Sequence, residues 1–229
     1  MSTSPYYKDT GRISLASNIS MRFRKRMFHK FMDVMRPRPE SKVLDIGVTS
    51  DDVYQESNYF EKMYPYPEQI VCVGTEDGGY LEEKYKGLKF YKVNPSELLP
   101  FNDKEFDVAF SNAVIEHVGS FEEQKKFVRE MSRVSKSFFI TTPNRWFPVE
   151  FHTAIPLLHF LPPEMYRKVL SAIGEKYWSM EENLNLLSRK DLKCLFEDQP
   201  DIIVDNVSLF GVPTNLIVYN KPVEVNTKI

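Results

Sequence analysis

Residues 43–52 read Val-Leu-Asp-Ile-Gly-Val-Thr-Ser-Asp-Asp, and their reading decides the fold. Four residues of a β-type run meet one glycine and then a polar, acid-rich turn. A parallel α/β sheet presents its ligand loop in this way, at the carboxyl end of a strand. A dinucleotide-binding turn needs Gly-x-Gly-x-x-Gly, because the pyrophosphate must approach bare backbone. Here only Gly47 is present. Asp45, Asp51 and Asp52 would repel a pyrophosphate and tolerate a positively charged ligand. The alternative is a tight turn with solvated carboxylates.

Outward from this stretch, short β-type runs alternate with helical ones. The strands are predicted at 43–46, 70–73, 88–91, 106–110 and 137–140, with helical stretches at 80–86 and 121–134. Ser120 and Glu123 form a capping-box signature before Phe127, Val128, Met131 and Val134, which share one stripe. Such alternation implies a parallel sheet with right-handed crossovers. Residues 145–187 break the pattern with Pro148, Pro156, Pro162 and Pro163, and read as an insertion over the sheet. It holds a helix near 163–173 stopped by Gly174. Ser188 then caps a helix through Phe196. Two strands follow near 202–208 and 214–220, and Gly211-Val-Pro-Thr between them predicts a hairpin with an antiparallel last strand.

The chain has 229 residues, 42% hydrophobic and 27% charged, which suits one globular domain. Residues 1–17 read as a polar arm. From Asn18 or Ser20, Phe23, Met27, Phe31 and Val34 recur at helical spacing until Pro37. Residues 1–42 carry ten Lys/Arg against three acids, +7 within a chain of net charge −2. Positive charge confined to one end does not favour nucleic acid as a partner. No apolar run is long enough to span a bilayer and no signal-peptide pattern opens the chain, so a cytoplasmic protein is expected. Cys72 and Cys194 sit in apolar contexts and read as reduced core residues.

Three more landmarks carry chemistry. Gly74-Thr-Glu-Asp77 follows the second strand, where an acid can accept from the two hydroxyls of an adenosine ribose; Glu76 is the choice, Asp77 the reserve. Either could instead serve a helix N-terminus. The fourth strand runs into Ser111, Asn112 and then Glu116-His117. The bland alternative there is a cap at Asn112 and a solvated Glu116. After the fifth strand comes Thr141-Thr-Pro-Asn-Arg-Trp-Phe-Pro-Val-Glu-Phe-His152, dense in polar and aromatic groups.

Together, VLDIG, the acid after strand two, LLPFNDKEFDVAFSNAVIEHV and the terminal NLIVYNK resemble the class I S-adenosylmethionine (SAM)-dependent methyltransferases. The similarity is closest to the small bacterial type 11 group, over about residues 40–142 and the final hairpin. The resemblance implies a Rossmann-like three-layer α/β/α sandwich. Its seven-stranded sheet would run 3-2-1-4-5-7-6 with strand 7 antiparallel, over a SAM-binding domain spanning 41–229. It implies SAM as methyl donor and S-adenosylhomocysteine (SAH) as product. Asp45, Gly47, Val48 and Thr49 match the first motif, Glu76 and Asp77 the ribose acid, and Asn94 the position near adenine. Ser111, Asn112 and Ala113 match the motif near the methionine and methyl. The chain departs from the pattern by lacking the later glycines of the first motif and by Gly74 standing two residues early.

Methyl transfer from a sulfonium is an in-line displacement, and no metal is expected. A hydroxyl acceptor needs a base, and among four histidines the candidates are His117 and His152, with Glu150 able to orient His152. The alternative pairs Arg145 with Glu150 and leaves His152 structural. Asn144, Arg145, Trp146 and Tyr7 are the candidate acceptor contacts. His29 and His159 read as structural. The basic segment, 1–40, has three readings: a lid closing Tyr6 or Tyr7 on the site, a helix lying on an anionic membrane, or a packed helix with a solvated basic face. The acceptor expected is a small molecule or carbohydrate-like compound, with O-methylation favoured. The rivals are a non-catalytic SAM-binding interaction protein and, behind it, a nucleotide-sugar or NAD enzyme.

Overall fold

The computed structural model describes residues 13–52, 54–199 and 201–222, with backbone alone over 13–19. Tyr6, Tyr7 and the rest of residues 1–12 lie outside the described residues. Helix α1 spans Ile13–Met35, so it begins several residues before the sequence-based start. No glycine or proline interrupts 13–35, and Leu15 and Ala16 are strong helix formers.

Seven strands follow: β1 (Val43–Ile46), β2 (Ile70–Gly74), β3 (Lys89–Lys92), β4 (Phe106–Asn112), β5 (Ser135–Pro143), β6 (Ile202–Leu209) and β7 (Val212–Asn220). Their order in the sheet is β3-β2-β1-β4-β5-β7-β6, as the resemblance implies. Strands β1 to β5 pair in parallel, and β7 runs antiparallel to both β5 and β6. Strand order reverses between β1 and β4, so the ligand crevice belongs beyond their carboxyl ends. Helices α2 (Tyr59–Met63), α3 (Tyr80–Lys84), α4 (Phe121–Val134), α5 (Pro163–Ala172) and α6 (Arg189–Leu195) complete the chain.

Alternation along the strands divides the core between two faces. Val43, Cys72, Phe110, Phe139 and Ile217 meet α1 and α2 on one face. Leu44, Ile46, Val73, Phe138 and Ile140 meet α4 and α6 on the other. Phe31 of α1 is fully buried, with ring centroids 5.1 Å from Phe60, 5.4 Å from Phe110 and 5.5 Å from Phe139. Its apolar stripe therefore forms one layer of the sandwich and cannot also lie on a membrane. Of the three readings of the basic segment, the packed helix describes residues 20–35. Lys30 pairs with Asp205 at 2.7 Å, and Arg26 donates to the Ser208 carbonyl at 2.9 Å.

Ser188 caps α6 in a reciprocal box with Asp191, whereas at α4 Ser120 accepts from the Glu123 amide. Gly174, at φ 91, ends the turn after α5. The hairpin turn is Phe210-Gly211, both at positive φ, and Val212 and Pro213 already belong to β7. Cys72 is buried but Cys194 is exposed, because it falls on the outer face of α6.

Candidate active site

The loop after β1 is clamped from two sides. The Gly47 and Val48 amides both donate to the Val73 carbonyl, at 2.8 and 3.2 Å. Gly47 lies at φ 102, and a Cβ there would sit 2.1 Å from Val114 Cγ2. A Cβ on Gly74 would sit 2.6 Å from the Val48 carbonyl oxygen. The early glycine is thus what lets the β1 loop lie against the end of β2. Beyond it, Asn58 exchanges hydrogen bonds with both backbone groups of Thr49, at 2.9 and 2.8 Å. Glu76 closes the cradle: its Oε2 accepts from the Ser50 hydroxyl at 2.5 Å and the Ser50 amide at 3.3 Å. Its Oε1 makes no hydrogen bond among the described residues.

Four sequence-based cofactor contacts are engaged elsewhere. Asp45 is buried on the face beneath α1, beside Glu61, and is turned away from the loop. Burial and the neighbouring Glu61 raise its pKa well above the ordinary carboxylate value. The Ser111 hydroxyl, fully buried, donates to the Ile46 carbonyl at 3.0 Å. Asp77 accepts from the Gly79 amide at 3.0 Å, before α3. Asn94 is exposed and accepts from the Ser96 amide and hydroxyl at 3.2 and 2.8 Å. Asn112 ends β4 and Ala113 follows it. Asn112 Oδ1 accepts from Thr141 Oγ1 at 2.7 Å, and Ala113 holds φ 55 while its amide donates to the Thr141 carbonyl at 2.9 Å. A non-glycine residue in that region is strained, and here the strain falls at the end of β4.

A second cluster is built around two imidazoles. A 3₁₀ turn, Ile115–His117, follows β4 and carries Glu116 and His117. Residues 151–153 form a turn that brings Glu150 and His152 together, although no extended strand aligns them. Glu150 Oε1 accepts from the His152 amide at 2.7 Å and from His152 Nδ1 at 2.5 Å. Its Oε2 accepts from the Thr153 amide and hydroxyl, both at 2.7 Å. His152 Nε2 faces His117 Nε2 at 3.1 Å, and His117 Nδ1 donates to the Asn183 carbonyl at 2.7 Å. Trp178 packs on both rings, with centroids 4.8 Å from His152 and 6.0 Å from His117.

Glu116 is fully buried rather than solvated: Oε2 accepts from Thr142 Oγ1 at 2.9 Å, while Oε1 lies 4.0 Å from His117 Nε2 without a hydrogen-bond partner. Burial pushes the Glu116 carboxyl up to about 7. Burial, reinforced by His152, pushes His117 down to about 3. Burial opposes ionisation of Glu150 too, but the hydrogen bonds from His152 and Thr153 outweigh it and hold the pKa at about 2.

The other acceptor candidates separate. Asn144 donates Nδ2 to the Pro213 carbonyl at 2.9 Å and accepts the Trp146 amide at 3.2 Å, which uses its side chain to pin the hairpin. Arg145 donates to the Leu161 carbonyl at 3.0 Å and lies 5.3 Å over the Trp146 ring. Among the described residues it makes no ion pair with Glu150. It borders a cavity of about 20 Å³ with His159 and Tyr166, too small for an acceptor. Trp146 is half exposed. His159 is buried and binds the Phe147 carbonyl at 2.7 Å, a structural role.

Residues 57–138 match the protein family described as "Methyltransferase domain". The match covers about a third of the chain, and the strand order is that of the class I methyltransferase fold. Among solved structures, the SAM-dependent methyltransferase of Methanosarcina mazei is 16% identical, with a TM-score of 0.52, covering 85% of this chain and 98% of that one. The geranyl diphosphate C-methyltransferase of Streptomyces coelicolor A3(2), in complex with Mg2+, geranyl diphosphate and SAH, is 11% identical, with a TM-score of 0.57. That alignment covers 97% of this chain and 90% of the other. The CurJ carbon methyltransferase is 12% identical, with a TM-score of 0.54, over 94% of this chain. The chain spans 56% of that protein's length. No curated protein sequence matches the chain.

The chain's own residues suit SAM in two respects. Gly47 and Gly74 shape the β1 loop, since a Cβ at either would clash with Val114 or with the Val48 carbonyl oxygen. Glu76 has one oxygen held by Ser50, and the other makes no hydrogen bond among the described residues, so it could accept from ribose hydroxyls. Glu116, Thr142, Trp178 and Asn183 were not foreseen as one group with the histidines. The signal available in sequence was the Glu116-His117 dipeptide just past a strand end.

Proposed function

We propose that the protein is a methyltransferase that transfers a methyl group from SAM to a hydroxyl of a small-molecule or carbohydrate-like acceptor. The observation that carries this reading is the Glu150–His152–His117 array beside the end of β4. Bound SAM supplies an electrophilic methyl on a sulfonium. The β1 loop and Glu76 hold the adenosyl end, and Asn112 and Ala113 flank the methyl. The acceptor oxygen attacks the methyl carbon as the carbon–sulfur bond breaks, giving the methyl ether and SAH. The acceptor proton passes to the histidine pair, where the Glu150 carboxylate stabilises the imidazolium formed on His152. The insertion over 145–187 forms the acceptor wall. Its own small core of Tyr166, Leu170, Trp178 and Leu184 supports that role.

Transfer of labelled methyl from SAM to a panel of sugar and phenol hydroxyls, with products identified by mass spectrometry, tests the reading. It predicts an O-methyl product and loss of turnover in His152→Asn with SAH affinity retained. Methyl transfer to carbon or nitrogen alone would overturn O-methylation. Intact SAH binding with no turnover on any acceptor would favour a SAM-binding protein without catalysis.

A further inference from the structure

The two facing histidines pose a charge problem that a methyltransferase base does not by itself solve. Asn183 offers only a carbonyl oxygen and Glu150 an ionised carboxylate, so each histidine carries its hydrogen on Nδ1. When both rings are neutral, both Nε2 lone pairs point at one another across 3.1 Å. The third group aimed at this point is Glu116 Oε1, fully buried and without a hydrogen bond. One donor atom from each of Glu116, His117 and His152 lies within 4.8 Å of the others.

We propose that Glu116, His117 and His152 form a binding site for a divalent transition-metal cation, held by Glu116 Oε1 and the two Nε2 atoms. It rests on the acceptor-side reading above only for its use in catalysis, not for its existence. Two nitrogens bound at about 2.05 Å to one ion stand about 2.9 Å apart at a right angle and about 3.35 Å at the tetrahedral angle. The 3.1 Å separation falls between these values. Glu116 Oε1 lies 4.0 Å from His117 Nε2, and the three donor atoms all fall within 4.8 Å of one another, so the carboxylate has to move inward to close on an ion.

The outer contacts are those metal-binding histidines use: each Nδ1–H is fixed by an oxygen, one of them a carboxylate. Two imidazoles and one carboxylate select zinc, iron, cobalt or manganese over magnesium or calcium, which prefer all-oxygen shells. Three protein ligands leave a coordination position open, the mark of a catalytic site. With an ion bound, both Nε2 atoms are ligands and the histidine pair no longer takes the acceptor proton. Coordination would instead lower the pKa of an acceptor hydroxyl at the open position and let its proton leave to solvent. The sequence-based expectation of no metal followed from the reaction alone, which needs none.

Zinc chloride titrated calorimetrically into the metal-stripped full-length protein, alongside the visible spectrum with cobalt chloride, reads the site directly. One ion per chain is expected. Glu116→Gln and His152→Asn should each weaken binding at least about tenfold, and Glu150→Gln about 10–100-fold through the ring it orients. His29→Asn, on the exposed side of α1, should leave it unchanged. Zinc should also raise the melting temperature of the wild type and not of Glu116→Gln, which reads the site even where His152→Asn does not fold. No stoichiometric uptake by the wild type, or uptake indifferent to Glu116→Gln and Glu150→Gln, overturns the proposal. SAH titrated into the same samples separates the two readings, since its cradle contains none of these ligands.

Discussion

His117 and His152 meet Nε2 to Nε2 at 3.1 Å although 35 residues separate them. One follows β4 and the other follows β5, adjacent strands of the parallel sheet. The contact ties the insertion to the carboxyl edge of the sheet, with Asn183 and Trp178 of that insertion closing over it. Donor-side and acceptor-side groups consequently share the ends of β1, β2, β4 and β5.

The tightness of the donor loop is testable at one atom. Gly47→Ala places a Cβ 2.1 Å from Val114 Cγ2 and forces alanine to φ 102. We expect a loss of at least about 1–2 kcal/mol in denaturant unfolding, together with weakened SAH binding. Adding Val114→Ala should relieve the clash but not the backbone strain, so recovery should be partial. Full recovery in the double variant would show that the φ of residue 47 does not matter.

Asp45 should reveal itself through pH. Its pKa is raised by burial and by Glu61, so its contribution to stability is present below the unfolded carboxyl pKa and is lost as pH rises through the folded one. Asp45→Asn removes that dependence. The unfolding free energy of the variant relative to wild type should therefore climb as pH rises above the ordinary carboxyl range, by on the order of 1–3 kcal/mol. A difference that stays constant with pH would contradict an Asp45 carboxyl held above its ordinary pKa.

The hairpin tip offers a gain rather than a loss. Phe210 is 98% exposed at φ 48, followed by Gly211 at φ 83. Both central residues at positive φ make the two-residue turn that Asn-Gly suits best. Phe210→Asn should stabilise by roughly 0.5–1 kcal/mol in chemical unfolding, since no contact is given up. An unchanged or lowered midpoint would show that Phe210 contributes something its exposure does not reveal.

Much of this was legible in the chain because its signals are local. The run from Val43 to Gly47, the Ser188 cap, Gly174 and the Gly211 turn each mark an element by its own chemistry. Gly47 and Glu76 are marked in sequence by the same kind of signal, each following a recognisable strand, and the structure brings both to the loop after β1. What escaped depends on direction and on distant partners. Asp45 sits in the right motif, but strand alternation turns it beneath α1, where Glu61 of an unpredicted short helix awaits it. Ser111 faces the neighbouring strand, and Asn144 is taken by the hairpin. His117 and His152 were separate candidates; nothing in their spacing shows that Glu150 caps a turn and swings one ring onto the other.

The measurement that bears most directly on the central claim is calorimetric titration of SAH into the wild type and Glu76→Ala. The account predicts binding by the wild type. Loss of carboxylate hydrogen bonds worth about 1.5–3 kcal/mol should weaken the variant roughly 10–100-fold, with its melting temperature nearly unchanged. A wild type that does not bind SAH, or a variant that binds it equally well, would contradict a donor site built from the β1 loop and Glu76.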